Sequence, residues 1–118
     1  MKALNLKKNE EVLTTSHSWI ATSEAISQTG ASPVFVDTEK DSFCINPNLI
    51  EEKITKNTVG IVPVHLYGHP CEMNKISEIA KKHGLWIIED CAQSHLAEFE
   101  GSKAVSYTHL TLPTKCSV

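Results

Sequence analysis

Apolar and polar positions fall into two alternating patterns along the chain. Short apolar runs stand at residues 11–15, 33–37, 59–66 and 85–88, each bounded by polar or turn-forming residues. Runs of this length read as strands. Between them the apolar residues recur at helical spacing. Residues 19–28 form one amphipathic stretch, and Gly30 is placed to stop it. Asn46 followed by Pro47 is a helix start, a capping side chain and then a proline at the first helical position. Leu49, Ile50 and Ile54 would supply the buried stripe of that helix. Residues 72–83 give the clearest helix, with Met73, Ile76, Ile79 and Ala80 on one face. Lys81, Lys82 and His83 suit the negative end of its dipole, and Gly84 comes next. Pro63 interrupts the third apolar run and removes a ladder donor there.

Strands that alternate with helices predict βαβ units, hence an α/β fold with a mainly parallel sheet and helices on both faces. Ligands of such sheets sit beyond the carboxyl ends of the strands. The polar and aromatic residues at those ends are therefore the candidates: His17, Trp19, Asp37, His65, Tyr67, Asp90 and Gln93.

Composition narrows the function classes. The 118 residues are 41% hydrophobic and 21% charged, with a formal net charge of -3. That balance gives no electrostatic reason to expect nucleic acid as a partner. No apolar run approaches the ~20 residues that cross a bilayer, so no membrane association is expected. The first residues are too short and polar a stretch for a signal peptide. Cys44, Cys71, Cys91 and Cys116 are scattered without a CxxC pair, which fits reduced thiols in a cytoplasmic protein better than a zinc or disulfide framework. His65 and His69 have i, i+4 spacing, but Gly68 and Pro70 oppose the helix that would bring them to one metal, so no metal site is expected. No G-x-G-x-x-G follows any strand, which disfavours a dinucleotide-binding reading.

Four stretches in register carry a resemblance: "TTSHSWIATSEAI", "PVFVDTEKDSFCINPNLIEEKI", "VPVHLYGHPCEMNKISEIAKKHG" and "IIEDCAQSH". Together they resemble the DegT-type (DegT/StrS) nucleotide-sugar aminotransferases, pyridoxal-phosphate enzymes of the aspartate-aminotransferase fold (fold-type I). The resemblance spans residues 4–104 and implies a fragment of the large, cofactor-binding domain, with 1–104 as that partial domain. It also implies pyridoxal 5'-phosphate as cofactor, a nucleotide-sugar substrate, an amino-acid donor such as glutamate, and a homodimer when the protein is full length. By the same resemblance Asp90 would face the ring nitrogen of the cofactor, Gln93 would bond its ring oxygen, and Trp19 would stack on its ring. A carboxylate beside that nitrogen favours its protonated form, which the electron-sink chemistry of the cofactor needs. These three residues are expected to line one hollow.

The chain also departs from the family pattern. Leu96 stands where many members have a small residue. Nothing before Glu10 matches the family's phosphate-holding Ser-Gly-Thr loop, and the "FSFYPxKNLG" segment with the Schiff-base lysine is missing. A same-family sugar dehydratase and a non-catalytic regulatory homologue or binding module therefore stay open. Lys115, in "LPTK", only imitates the lysine segment. Residues 105–114 can be encoded by GTC TCT TAT ACA CAT CTG ACG CTG CCG ACG, which resembles the adaptor of transposase-based sequencing libraries. Residues 105–118 are thus expected to be a non-native tail, Lys115 to have no catalytic role, and the chain alone to be inactive.

Overall fold

Four apolar runs become the four strands of one parallel sheet: β1 (Glu11–Thr15), β2 (Ser32–Val36), β3 (Thr58–Val62) and β4 (Trp86–Ile87), in the order β2-β1-β3-β4. The computed structural model describes residues 1–94 and the backbone of a small antiparallel hairpin, β5 (Glu98–Phe99) with β6 (Ser102–Lys103). The tail of 105–118 with Lys115 and Cys116, and also His95 and Leu96, lie outside the described residues.

Strand side chains alternate between two faces, and here both faces carry packed apolar residues. Leu13 and Ile61 are opposite each other, as are Ile61 and Ile87, and all three pack in one core with Val36, Ile45 and Ile50. Helix α2 (Met73–His83) closes that face with Met73, Ile76 and Ala80. Val12, Val62 and Trp86 point the other way and pack with Ile26 of helix α1 (Ile20–Ser27) and with Ala31. Gly60 is required at its place in β3: a Cβ there would lie 2.2 Å from the ring of Trp86. Helices thus cover both faces of a parallel α/β sheet, as the sequence pattern predicts.

Helix ends obey the expected signals. Gly84 takes a left-handed conformation (φ 67°) and its N–H reaches the Ala80 and Lys81 carbonyls, closing α2. Gly30 (φ 92°) turns the chain from α1 into β2. β3 stops at Val62, one residue before Pro63, so it is shorter than the apolar run of 59–66.

The helix expected to start at Asn46 is a correction. The start signal is real, since the Asn46 side chain accepts from the Asn48 N–H with Pro47 next in line. The chain then makes two 3-10 turns, Pro47–Leu49 and Glu51–Lys53, rather than an α-helix. The backbone bonds there span three residues: Leu49 N–H to Asn46 at 3.1 Å, Ile50 to Pro47 at 3.4 Å, Lys53 to Ile50 at 3.0 Å and Ile54 to Glu51 at 3.2 Å. Ile54 is already extended (ψ 127°). A segment this short gains few bonds after nucleation, and burying Ile50 does not require a regular helix. No helix among the described residues is long and apolar enough to cross a membrane.

Candidate functional site

The carboxyl ends of β1, β3 and β4 lie side by side, and the chain returns to them repeatedly. Beyond Pro63, parallel pairing resumes as a single bridge between Val64 and Asp90. The Asp90 N–H donates to the Pro63 carbonyl at 2.8 Å, and its carbonyl accepts from His65 N–H at 3.1 Å. Asp90 is therefore not a solvated loop residue: its backbone is fastened to the end of β3. Its side chain is held too. Oδ2 accepts from Thr22 Oγ1 at 2.8 Å, and Oδ1 accepts from the Ala92 N–H at 3.1 Å.

Next to Asp90, Glu89 forms a buried pair with His65, Nε2 to Oε2 at 2.7 Å, and the His65 side chain is fully buried. His65 Nδ1 accepts from the Cys71 N–H at 3.0 Å, so the ring proton sits on Nε2 and is donated to Glu89. The pair ties the β3 end to the β4 end one residue before Asp90. His69 does not join it; its Nδ1 lies 3.0 Å from the Pro70 carbonyl oxygen, and the turn between the two histidines is broken by Tyr67 at φ 53°. The ligand atoms of His65, Glu89 and Cys91 lie within 4.8 Å of one another. His65 and Glu89 already satisfy each other in that group. Burial pushes the Cys91 thiol up from its ordinary range.

Gln93 is placed by its carbonyl. Its Oε1 accepts from the Tyr67 N–H at 2.9 Å, which fixes the amide orientation and turns Nε2 away as a donor. Tyr67 also belongs to an exposed ring cluster with His17 and Phe43, at centroid distances of 5.9–6.3 Å. Tyr67 Oη lies 3.4 Å from His17 Nε2. Phe43 (φ 58°) and Tyr67 (φ 53°) both hold left-handed backbone conformations, uncommon for large side chains.

Trp19 caps the start of α1 without a side-chain bond and is 76% exposed. It borders a hollow of about 270 Å³ with Ser18, Thr22 and Phe35. Asp90 borders a different hollow, about 280 Å³, with Thr22, Ala25, Ile88 and Cys91. Gln93 borders neither, so the expectation that Asp90, Gln93 and Trp19 line one hollow is corrected: Thr22 of α1 stands between the Asp90 side and the Trp19 side. Asp37 serves the loop after β2: its Oδ1 accepts from Thr38 N–H at 2.8 Å and from Ser16 Oγ at 3.5 Å. Sequence reasoning named Asp90, Gln93 and Trp19 as candidates and did not single out Thr22 or Glu89, which the structure brings against or beside Asp90. Thr22 reads as an ordinary helix residue, and its partner is 68 positions away.

Comparison with known proteins places these features in context. Residues 1–112 match the DegT/DnrJ/EryC1/StrS aminotransferase family. The chain is 43% identical over 103 residues to dTDP-3-amino-3,4,6-trideoxy-alpha-D-glucose transaminase of Streptomyces venezuelae, covering 87% of this chain and 27% of that protein. It is 42% identical over 99 residues to GDP-perosamine synthase of Escherichia coli O157:H7, covering 84% and 27%. The crystal structure of NtdA from Bacillus subtilis with bound cofactor PMP superimposes with a TM-score of 0.75 at 40% identity, covering 78% of this chain and 22% of that one. The chain thus spans about a quarter of the length of the curated relatives it matches.

Proposed function

The chain belongs to the DegT/DnrJ/EryC1/StrS aminotransferase family, and from that premise we propose that the protein carrying it moves an amino group from an amino-acid donor onto a keto group of a nucleotide-linked sugar. The cofactor of this reading is pyridoxal phosphate, which when bound supplies an electron sink for the reacting carbon. The observation that carries the proposal is the doubly held Asp90 carboxylate at the end of β4.

The residues present fit that cofactor. Each Asp90 oxygen has one fixed donor and keeps a lone pair for a cationic ring N–H. Asp90 in this role binds the ring nitrogen and keeps a proton on it. With Oε1 committed to Tyr67, Gln93 offers only N–H donors, the right polarity for an anionic ring oxygen. The exposed indole of Trp19 offers a flat apolar face to a cationic ring. A full-length homodimer in the cytoplasm is part of the same reading. The non-native reading of 105–118 also stands as a proposal, although the family match runs into it as far as residue 112. Nucleotides unlike the adaptor beneath 105–114 would refute it.

The test is Asp90→Ala in the full-length protein. Transamination should fall by about a hundredfold or more, because a preorganised electrostatic contact is lost, while the folded structure survives. Activity within a few fold of wild type would sink the assignment.

A further inference from the structure

Hydroxyl groups on α1 behave in two ways. Ser23 Oγ donates to the Ile20 carbonyl and Ser27 Oγ to the Ser23 carbonyl, both at 3.0 Å. Those are the ordinary local bonds of a helical serine. Thr22 does not turn back on its helix. Its Oγ1 crosses to Asp90 Oδ2 at 2.8 Å. Thr22 is 8% exposed, where a hydroxyl without a partner would cost stability.

The direction of the bonds is set by counting protons. A hydroxyl has one, and a carboxylate accepts rather than donates, so the Thr22 proton is committed to Asp90. The contact of Ser18 Oγ with Thr22 Oγ1 at 3.1 Å therefore has Ser18 as donor. Ser18, Thr22 and Asp90 form a one-way chain in which each bond polarises the next.

What this chain fixes is a torsion. The Asp90 backbone is already fastened to Pro63 and His65, but the last side-chain torsion of an aspartate is broad. The Ala92 N–H on one oxygen and Thr22 on the other together set the carboxylate plane. We infer that Thr22, with Ser18 behind it, is a positioning residue that aims the remaining lone pairs of Asp90 at the cofactor's ring N–H. The inference rests on the role proposed above for Asp90 and deepens it.

The experiment uses the full-length protein loaded with pyridoxal phosphate carrying 15N at the ring. The 15N shift across pH reports where that nitrogen loses its proton. Thr22→Val, which keeps the shape and removes the hydroxyl, should lower that midpoint by about one pH unit. It should also weaken cofactor binding about tenfold. Thr22→Ser should restore both, and Ser18→Ala should shift the midpoint in the same direction by less. Asp90→Asn should shift it most. A Thr22→Val midpoint equal to wild type, with Asp90→Asn still shifted, overturns the positioning role and leaves the Asp90 role intact. An unshifted Asp90→Asn removes the Asp90 role, and this inference with it. Circular dichroism checks each variant; if Thr22→Val does not fold, an unchanged midpoint in Ser18→Ala overturns the chain of donors.

Discussion

The two helices cover opposite faces of one sheet and are built for different purposes. α2 buries Met73, Ile76 and Ala80 on one stripe, ends on basic residues and stops at a left-handed glycine. Each of those features stabilises the fold. α1 is shorter, buries Thr22 and Ile26, and leaves Trp19 at its cap and Ile20 at its first turn exposed, at 76% and 72%. A helix needed only as a cover would bury its large apolar residues and expose its hydroxyls. α1 does the reverse at the end that meets the strand termini, where it hands Thr22 to Asp90. The comparison teaches that the helix meeting the candidate site departs from ideal amphipathicity in this chain, burying a hydroxyl that bonds Asp90.

That contrast can be broken first at α2. Ile76 is fully buried, so Ile76→Ala in the full-length protein should cost about 2–5 kcal/mol, read as a lower unfolding midpoint. The ring-nitrogen titration of bound cofactor should not move. A shift there as large as that of Thr22→Val would erase the distinction between the helices.

Much of the fold was legible because strand runs and the α2 stripe are local patterns that tertiary packing reinforces. Met73, Ile76 and Ala80 fall three or four residues apart and share one core. The segment after Asn46 was misread because a start signal says nothing about how far a helix runs. Leu49, Ile50 and Ile54 can be packed by two tight turns as well as by an α-helix. Of the candidate site, Asp90 and Gln93 were marked out by their place after the fourth apolar run, and only the resemblance of "IIEDCAQSH" suggested roles for them. The Thr22 bond was not legible, since a buried threonine in a helix carries no sequence mark of a partner 68 residues away.

A smaller effect is expected at the end of α2. Gly84 holds φ 67°, and Gly84→Ala should destabilise by about 1–2 kcal/mol without touching cofactor binding. The mirror experiment is Trp19→Ala at the start of α1. Trp19 packs in neither core of this chain, and its loss should leave the stability of the folded sheet within about 0.5 kcal/mol. Its ring should nonetheless matter to the cofactor, with affinity falling about three- to tenfold on loss of stacking. Equilibrium unfolding and cofactor titration on the same pair of variants separate the two helices: one should lose stability alone, the other affinity alone.

The measurement closest to the central claim is a crystal structure of the full-length protein with pyridoxal phosphate bound. The account predicts the Asp90 carboxylate about 2.7–2.9 Å from the ring nitrogen, with Thr22 Oγ1 still on Oδ2. A ring nitrogen facing another residue, with Asp90 beyond about 3.5 Å, would contradict it.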